Sequence, residues 1–354
     1  MDLLENIPLA PLTTFKVGGP ARYFLEAKSE EQVMEGVRFA RDRKVALFVL
    51  GGGSNLVVAD AGWPGLAIKI AIGGIKDIGG GKSSREFEVG AGVEWDSFVA
   101  QSVSANLAGV ETLSGIPGTV GGTPVQNVGA YGQEVSETIT SVRVLDLEKL
   151  TASKLSNRQC EFSYRTSLFN STQRERYVVL KVNFALTPNG EPRLAYADLR
   201  KYFDKQLAES EMPTLQQARD AVREIRRSKA MLIVPDDEDC RSAGSFFKNP
   251  IVEQRKYEEV ARAAGDTGAP PKFPAGNGKV KIPAAWLVER AGFHKGYAQG
   301  TVGISKKHSL AIINRGGATA AEIIALKNAV QYGVKDKFGV ELQPEPVFVG
   351  FPPN

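Results

Sequence analysis

Ser114-Gly115-Ile116-Pro117-Gly118-Thr119-Val120-Gly121-Gly122 is a glycine run of the kind that lets successive backbone N–H groups converge on an anion without side chains in the way. A second cluster, Gly51-Gly52-Gly53-Ser54-Asn55, follows the apolar run Ala46-Leu47-Phe48-Val49-Leu50, which reads as a buried strand delivering the chain into a tight turn. Either cluster alone is an ordinary turn between strands. Together they predict two loops for the two phosphates of a dinucleotide, with Gly51, Gly52, Gly53, Ser54, Asn55, Ser114, Gly115, Gly118, Thr119, Gly121 and Gly122 as its contacts.

Familiar nucleotide motifs fail nearby. Gly81-Lys82-Ser83 ends like a P-loop, but Lys76 stands where the loop glycine belongs. Leu56 and Trp95 occupy the third-glycine positions of two near-matches to the Rossmann fingerprint. Downstream, Gln126-Asn127-Val128-Gly129-Ala130-Tyr131-Gly132 offers amides able to hydrogen-bond a flavin ring or its ribityl chain, so Gln126, Asn127, Gly129 and Ala130 join the cofactor set.

Periodicity around these loops predicts an α/β start and then an α+β region. Ala21 to Ala27 reads as extended, and Ser29 with Gln32 forms a capping box ahead of Val33, Val37 and Ala40 at helical spacing. From about residue 70 to 210 come β-type runs, including Ser141 to Leu145 and Tyr177 to Leu186, with a short helix near Trp95 to Val103. Thr214 and Gln217 open a helix with Ala218, Val222 and Ile225 on its apolar face. Thr319 and Glu322 cap another, lined by Ile323, Leu326, Val330 and Val334 and closed by Gly339. Gly268 to Lys281 reads as a loop, and Val340 to Phe351 as an extended segment that Pro344 and Pro346 confine to an edge or a surface.

With 354 residues the chain exceeds a single ordinary core, and 42% hydrophobic with 24% charged residues is the balance of a soluble globular protein without a membrane span. Its +4 net charge suits a small anionic substrate, and the basic residues form no stripe interleaved with aromatics, which argues against nucleic acid. Met1 to Asn6 lacks a basic start and apolar run, so a cytoplasmic protein is expected. Cys160 and Cys240 stand far apart as free thiols. Only His294 and His308 are present, so neither a zinc site nor a histidine-based triad is available in the usual form, and Ser245 has no histidine beside it in sequence. The acidic run Asp236-Asp237-Glu238-Asp239 reads as a solvated loop without a role.

Six blocks in chain order carry a resemblance. They are Thr13 to Gly19, Gly51 to Asn55, Gly115 to Gly122, Gln126 to Gly132, Tyr164-Arg165 and Ala243 to Pro250. Together they resemble the UDP-N-acetylenolpyruvoylglucosamine reductases over roughly residues 6 to 350, in the longer subtype whose tyrosine loop matches Leu194 to Leu199. The resemblance implies an α+β fold: a two-part FAD-binding unit of the vanillyl-alcohol-oxidase type, residues 1–70 with 341–354 and 71–222, and a substrate domain, 223–340. It also implies FAD and NADPH as cofactors, a ping-pong order and a small UDP-sugar enolpyruvyl ether as substrate; a monomer without metal, nucleic-acid or membrane partners is expected.

Arg165, Ser245 and Glu345 match the family's catalytic positions, with Ser245 as proton donor. Tyr164, Tyr196, Lys229 and Asn249 match its substrate contacts. The match departs from the family pattern at Tyr297 to Gly303 and at Pro346 after Glu345. Another flavin oxidase on the same fold, or a non-catalytic flavin or UDP-sugar binder, are the competing readings. Against the oxidase stands the retention of Arg165, Ser245 and Glu345 together, since alcohol oxidation calls for a base rather than a proton donor.

Overall fold

The computed structural model describes residues 1–204, 211–265 and 268–352. Contacts divide the chain into two compact units: Met1–Ile7, Ala21–Gly53 and Pro64–Leu232 form the first, and Pro8–Pro20, Ser54–Trp63 and Ile233–Asn354 the second.

In the first unit, strands Leu3–Pro8, Pro20–Ala27, Trp63–Ile70 and Leu47–Leu50 lie side by side in that order, the last two in parallel. The helix Glu30–Asp42 packs Val33, Val37 and Ala40 inward, and Gly36 brings it close: a Cβ there would meet Ile68 Cδ1 at 2.6 Å. Its cap differs from the expected box. Ser29 accepts from Gln32 N–H, but the Gln32 side chain accepts from Lys28 N–H, one residue upstream of the cap. The larger antiparallel sheet runs Thr151–Ser156, Ile139–Asp146, Tyr177–Pro188, Ser84–Gly90, Ile75–Gly81. Gly81-Lys82-Ser83 is simply the hairpin between its last two strands.

One hydrophobic core, from Tyr23 to Leu215, serves both sheets. At its centre the helix Trp95–Ser104 sets Trp95 and Phe98 against Phe184, with ring centroids 5.9 and 4.9 Å from it. Aromatic side chains of this size dominate core energetics. The helix Leu215–Ser228 has the complete capping box expected of Thr214 and Gln217, and it buries Ala218 and Val222.

The second unit is organised round the helix Ala320–Phe338, whose Ile323, Leu326, Val330 and Val334 are fully buried. Thr319 and Glu322 form its box, Gly339 closes it in the left-handed conformation, and Asp60 accepts from Ala320 and Ala321 N–H. Three small sheets surround it. One consists of Ile251–Glu253, Lys279–Lys281 and Phe273–Pro274, so the segment expected to be a loop from Gly268 to Lys281 contains two strands. Pro274 sits in the edge strand, where its missing N–H costs no ladder bond. Ala298–Gln299, Val302–Ile304 and Ile312–Asn314 form the next. Only Val347–Val349 of the expected extended C-terminal segment is a strand, parallel to Leu56–Val58.

Because Phe184 is fully buried between Trp95 and Phe98, Phe184→Ala should lower the unfolding free energy by about 3–5 kcal/mol. Urea denaturation monitored by circular dichroism measures it, and a loss below about 1 kcal/mol would contradict this account of the core.

Candidate active site

The two glycine clusters meet as expected. A Cβ on Gly52 would lie 2.5 Å from Gly118 Cα and 3.0 Å from Thr119 N, so backbone packs directly on backbone. Gly118 has φ +125°, open only to glycine, whereas Gly122 faces open space. Beside this contact Thr119 Oγ1 is buried without a hydrogen-bond partner among the described residues. A cradle lined by main chain, with an orphaned hydroxyl in it, fits the phosphate portion of a dinucleotide.

Trp95 and Asp96 hold the longer loop. Trp95 donates from Nε1 to Leu113 O at 3.0 Å and from its backbone N–H to Gly118 O at 3.0 Å. Asp96 accepts from Gly115 N–H at 2.6 Å and from Arg219 at 2.6 and 3.0 Å, and it also pairs with Arg223. Arg219 in turn reaches the buried Ser114 hydroxyl at 3.0 Å. Burial works to raise the Asp96 carboxyl, but the Arg219 hydrogen bond, the Gly115 N–H and the charges of Arg219 and Arg223 outweigh it, holding it below the usual aspartate range.

Sequence reasoning missed these arginines. Arg219, Arg223 and Arg226 recur at helical spacing beside the apolar face already recognised, and that spacing was the available signal. Arg226 is buried behind Gly115, donates to Met231 O at 2.6 Å, and leaves its Nε without a partner among the described residues. Burial pushes its pKa down.

The remaining first-unit candidates lie on loops and at the ends of two helices. Asn127 is buried with its side chain committed to Glu134, Ser163 O and Ser136 N–H, so it holds its loop rigid; Gln126 is half-buried. Gly129 O accepts from Arg165 Nη2 at 2.8 Å, next to Ala130. Tyr164-Arg165 is the tip of a two-residue turn closed by Ser163 and Thr166, with Arg165 at φ +54° and its guanidinium 5.6 Å from the Tyr164 ring centroid. Tyr196 caps the helix Ala197–Phe203, is 44% exposed, and packs edge-on against Tyr131 at 5.3 Å. Lys229 ends the arginine stripe and pairs with Asp198 at 2.6 Å. Burial acts to lower the Lys229 pKa, but the Asp198 hydrogen bond and charge prevail and raise it, so the ammonium is firmly protonated.

In the second unit the two expected chemical stretches run side by side. Phe247 bridges Pro344, Lys248 N–H donates to Gln343 O, and Glu345 N–H donates to Phe246 O at 2.9 Å, bringing Ser245 and Glu345 to neighbouring positions. Phe246 and Phe247 anchor this segment in the core; Phe246 packs against Phe15 and Phe348. Asn55 clamps the other side, donating to Glu345 O at 3.2 Å and accepting from Val347 N–H at 2.9 Å. Thr14 ties in the neighbours of both stretches, donating to Ser242 O at 2.6 Å and to Ser54 O at 3.3 Å. Asn249 Oδ1 accepts from Ala284 N–H and caps the helix Ala284–Arg290.

Ser245 also has a histidine that the sequence did not offer it. His308 Nε2 stands 3.1 Å from Ser245 Oγ, brought from 63 residues away. Among the described residues no cluster of His, Cys, Asp or Glu is suited to a metal ion, and no helix is long and apolar enough to cross a membrane.

The chain is similar to known proteins over nearly its whole length. A family model described as an FAD binding domain matches residues 21–149, which hold the whole glycine cradle. A second, the C-terminal domain of UDP-N-acetylenolpyruvoylglucosamine reductase, matches residues 235–349, which hold Ser245, His308 and Glu345. The UDP-N-acetylenolpyruvoylglucosamine reductase of Thermobifida fusca is 47% identical over 351 residues, 98% of each chain. That of Streptomyces coelicolor is 47% identical over 353 residues, covering 98% of this chain and 90% of its own. The crystal structure of the Thermus caldophilus reductase shares the fold, with a TM-score of 0.64 and 24% identity over 98% of each chain.

Two outcomes follow from the cradle and its support. Gly52→Ala, which forces a methyl into Gly118, should purify folded but depleted of flavin, read from visible absorbance and circular dichroism; full flavin content would refute the cradle. The Asp96 carboxyl titrates low when folded, so its stabilising effect is complete above the unfolded aspartate pKa of about 3.9. The stability advantage of wild type over Asp96→Asn should therefore be level from neutral pH to about pH 5 and shrink as pH falls further. An advantage that grew on acidification would reverse the assigned sign.

Proposed function

Because the chain belongs to the UDP-N-acetylenolpyruvoylglucosamine reductase family, a family of flavin oxidoreductases, we propose that it uses NADPH to reduce the enolpyruvyl ether of UDP-N-acetylglucosamine to UDP-N-acetylmuramate, in ping-pong order. The observation that carries this reading is the pairing of the Ser245 and Glu345 segments in a chain that also carries the glycine cradle. An acid and a proton donor beside one another suit reduction of a polarised double bond; oxidation of an alcohol would call for a base.

FAD, when bound, supplies the hydride chemistry, and Gly51 to Asn55 with Ser114 to Gly122 and Gln126 to Ala130 would hold it. The chain's own residues manage charge. Addition of hydride to the terminal enol carbon builds negative charge at the neighbouring carbon and its carboxylate. Arg165, aimed by Gly129 O, meets that carboxylate. Glu345, protonated or strongly hydrogen-bonded so that it helps rather than repels, stabilises the enol-like intermediate. Ser245 gives its proton to the carbanionic carbon, which is basic enough to take it.

Lys229 meets the substrate phosphates by exchanging or sharing Asp198. Asn249, whose carbonyl oxygen caps a helix, presents its NH2 to the nucleotide portion. Tyr164 and Tyr196 pack over the ligand; the exposure of Tyr196 suits a lid. Residues 1–70 with 341–354 and 71–222 are assigned to the cofactor, residues 223–340 to the substrate, and the protein to the cytoplasm as a monomer.

Anaerobic NADPH should bleach the yellow protein, and enolpyruvyl UDP-N-acetylglucosamine should restore the colour; colour that stays away sinks the assignment. Ser245→Ala should bleach normally and reoxidise about a hundredfold or more slowly, and equal reoxidation would remove Ser245 from the mechanism.

A further inference from the structure

Three backbone segments meet at Ser245. Phe246 O accepts from Glu345 N–H on one side, and Phe246 N–H donates to Leu310 O at 2.8 Å on the other, so the turn that carries His308 is the second neighbour of the serine. That turn is built with care. The fully buried Ser305 accepts at Oγ from Lys307 and His308 N–H at 3.0 and 3.2 Å, and Ala311 N–H donates to His308 O.

The acidic run read as a solvated loop fastens the turn from outside. Asp239 is buried and accepts from Lys306 N–H at 3.0 Å; Glu238 pairs with Lys306 Nζ at 3.0 Å and Asp237 with Lys307 Nζ at 2.5 Å. Two lysines preceding a histidine would otherwise leave this turn loosely held and strongly charged. Clamped in this way, the imidazole is fixed 3.1 Å from Ser245 Oγ.

We infer that His308 is the positioning residue of the proton-donating serine: Nε2–H donates to Ser245 Oγ, so that the hydroxyl proton is directed to the substrate and the oxygen it leaves is stabilised. The inference rests on the role of Ser245 proposed above. A hydroxyl that donated to the imidazole would hold its only proton away from the reacting carbon, whereas one that accepts from the imidazole has that proton to give. This reverses the polarity of a nucleophilic serine, where histidine is the acceptor.

The proton balance follows. Hydride from the reduced cofactor brings an electron pair to the substrate, and the neighbouring carbon uses the pair so released to bond the Ser245 proton. Oγ keeps the O–H electrons as an alkoxide, held by a charge-assisted hydrogen bond from Nε2–H, and regains a proton from water.

The test uses full-length His308→Leu and His308→Gln holoenzymes, each bleached with NADPH and then mixed anaerobically with the enolpyruvyl UDP-sugar in H2O and in D2O. Both variants should bleach at the wild-type rate. Reoxidation of His308→Leu should be about a hundredfold slower, as for loss of one donor to a developing oxyanion, with a larger solvent isotope effect than wild type and unchanged substrate affinity of the oxidised enzyme. Glutamine, whose amide also donates, should recover most of the rate. Ser245→Ala/His308→Leu should be no slower than Ser245→Ala, because the histidine acts through the serine.

Wild-type reoxidation in His308→Leu overturns the inference and leaves the proposed function standing. So does glutamine as slow as leucine, or a double variant in which the two losses multiply. Wild type that is bleached but not reoxidised by this substrate overturns the functional reading and the inference with it.

Discussion

Everything the glycine loop does depends on two adjacent side chains, Trp95 and Asp96. A glycine-rich segment has the greatest conformational entropy to lose on ordering, and nothing in its own composition can hold it still. Trp95 spans the loop with two hydrogen bonds, from its indole N–H to Leu113 O and from its backbone N–H to Gly118 O, while its ring is locked between Phe98 and Phe184. Asp96 binds the loop N–H at Gly115 and is itself fixed by Arg219 and Arg223. Rigidity is thus conducted from the deepest part of the core to a stretch that has no side chains with which to pack.

The second unit solves the same problem differently. The residues proposed to react there lie on irregular backbone, and prolines supply the constraint. Pro344 and Pro346 fix φ on either side of Glu345 and have no N–H, so the N–H of Glu345 is the sole donor of the three and goes to Phe246 O. What looked like a departure from the family pattern leaves this tripeptide a single backbone donor with which to pair with its neighbour. Asn55 then closes the arrangement from below with its side chain and its carbonyl.

Legibility in the sequence followed the range of the interaction. The boxes at Thr214/Gln217 and Thr319/Glu322 were readable because both partners lie within one turn of helix. At Ser29 the same letters gave a different bond, since Gln32 had two backbone donors within reach. The meeting of Gly52 with Gly118 could be anticipated because two clusters lacking side chains have a common use. His308 could not, because no local pattern marks a histidine that finds its serine 63 residues away. Nor could the duty of the acidic run, which depends on two lysines that reach it only after folding. Gly268 to Lys281 was misread because its two strands are short and proline-bearing, and are strands only by virtue of pairing with one another and with Ile251–Glu253.

The bond from Asn55 to Glu345 joins residues 290 positions apart, and that from Asn314 to Phe15 spans 299. Closures of such length are the slow events of folding. During synthesis the chain emerges from its N-terminus, so Asn55 and Thr14 are made long before the carboxylate they help to place. Every residue of the first unit has been made once Leu232 is added, whereas the second unit lacks its final strand, Val347–Val349, until almost the end of the chain. On the proposed assignment, the residues of the cofactor cradle are therefore complete in the nascent chain well before the proposed acid, Glu345, has been made.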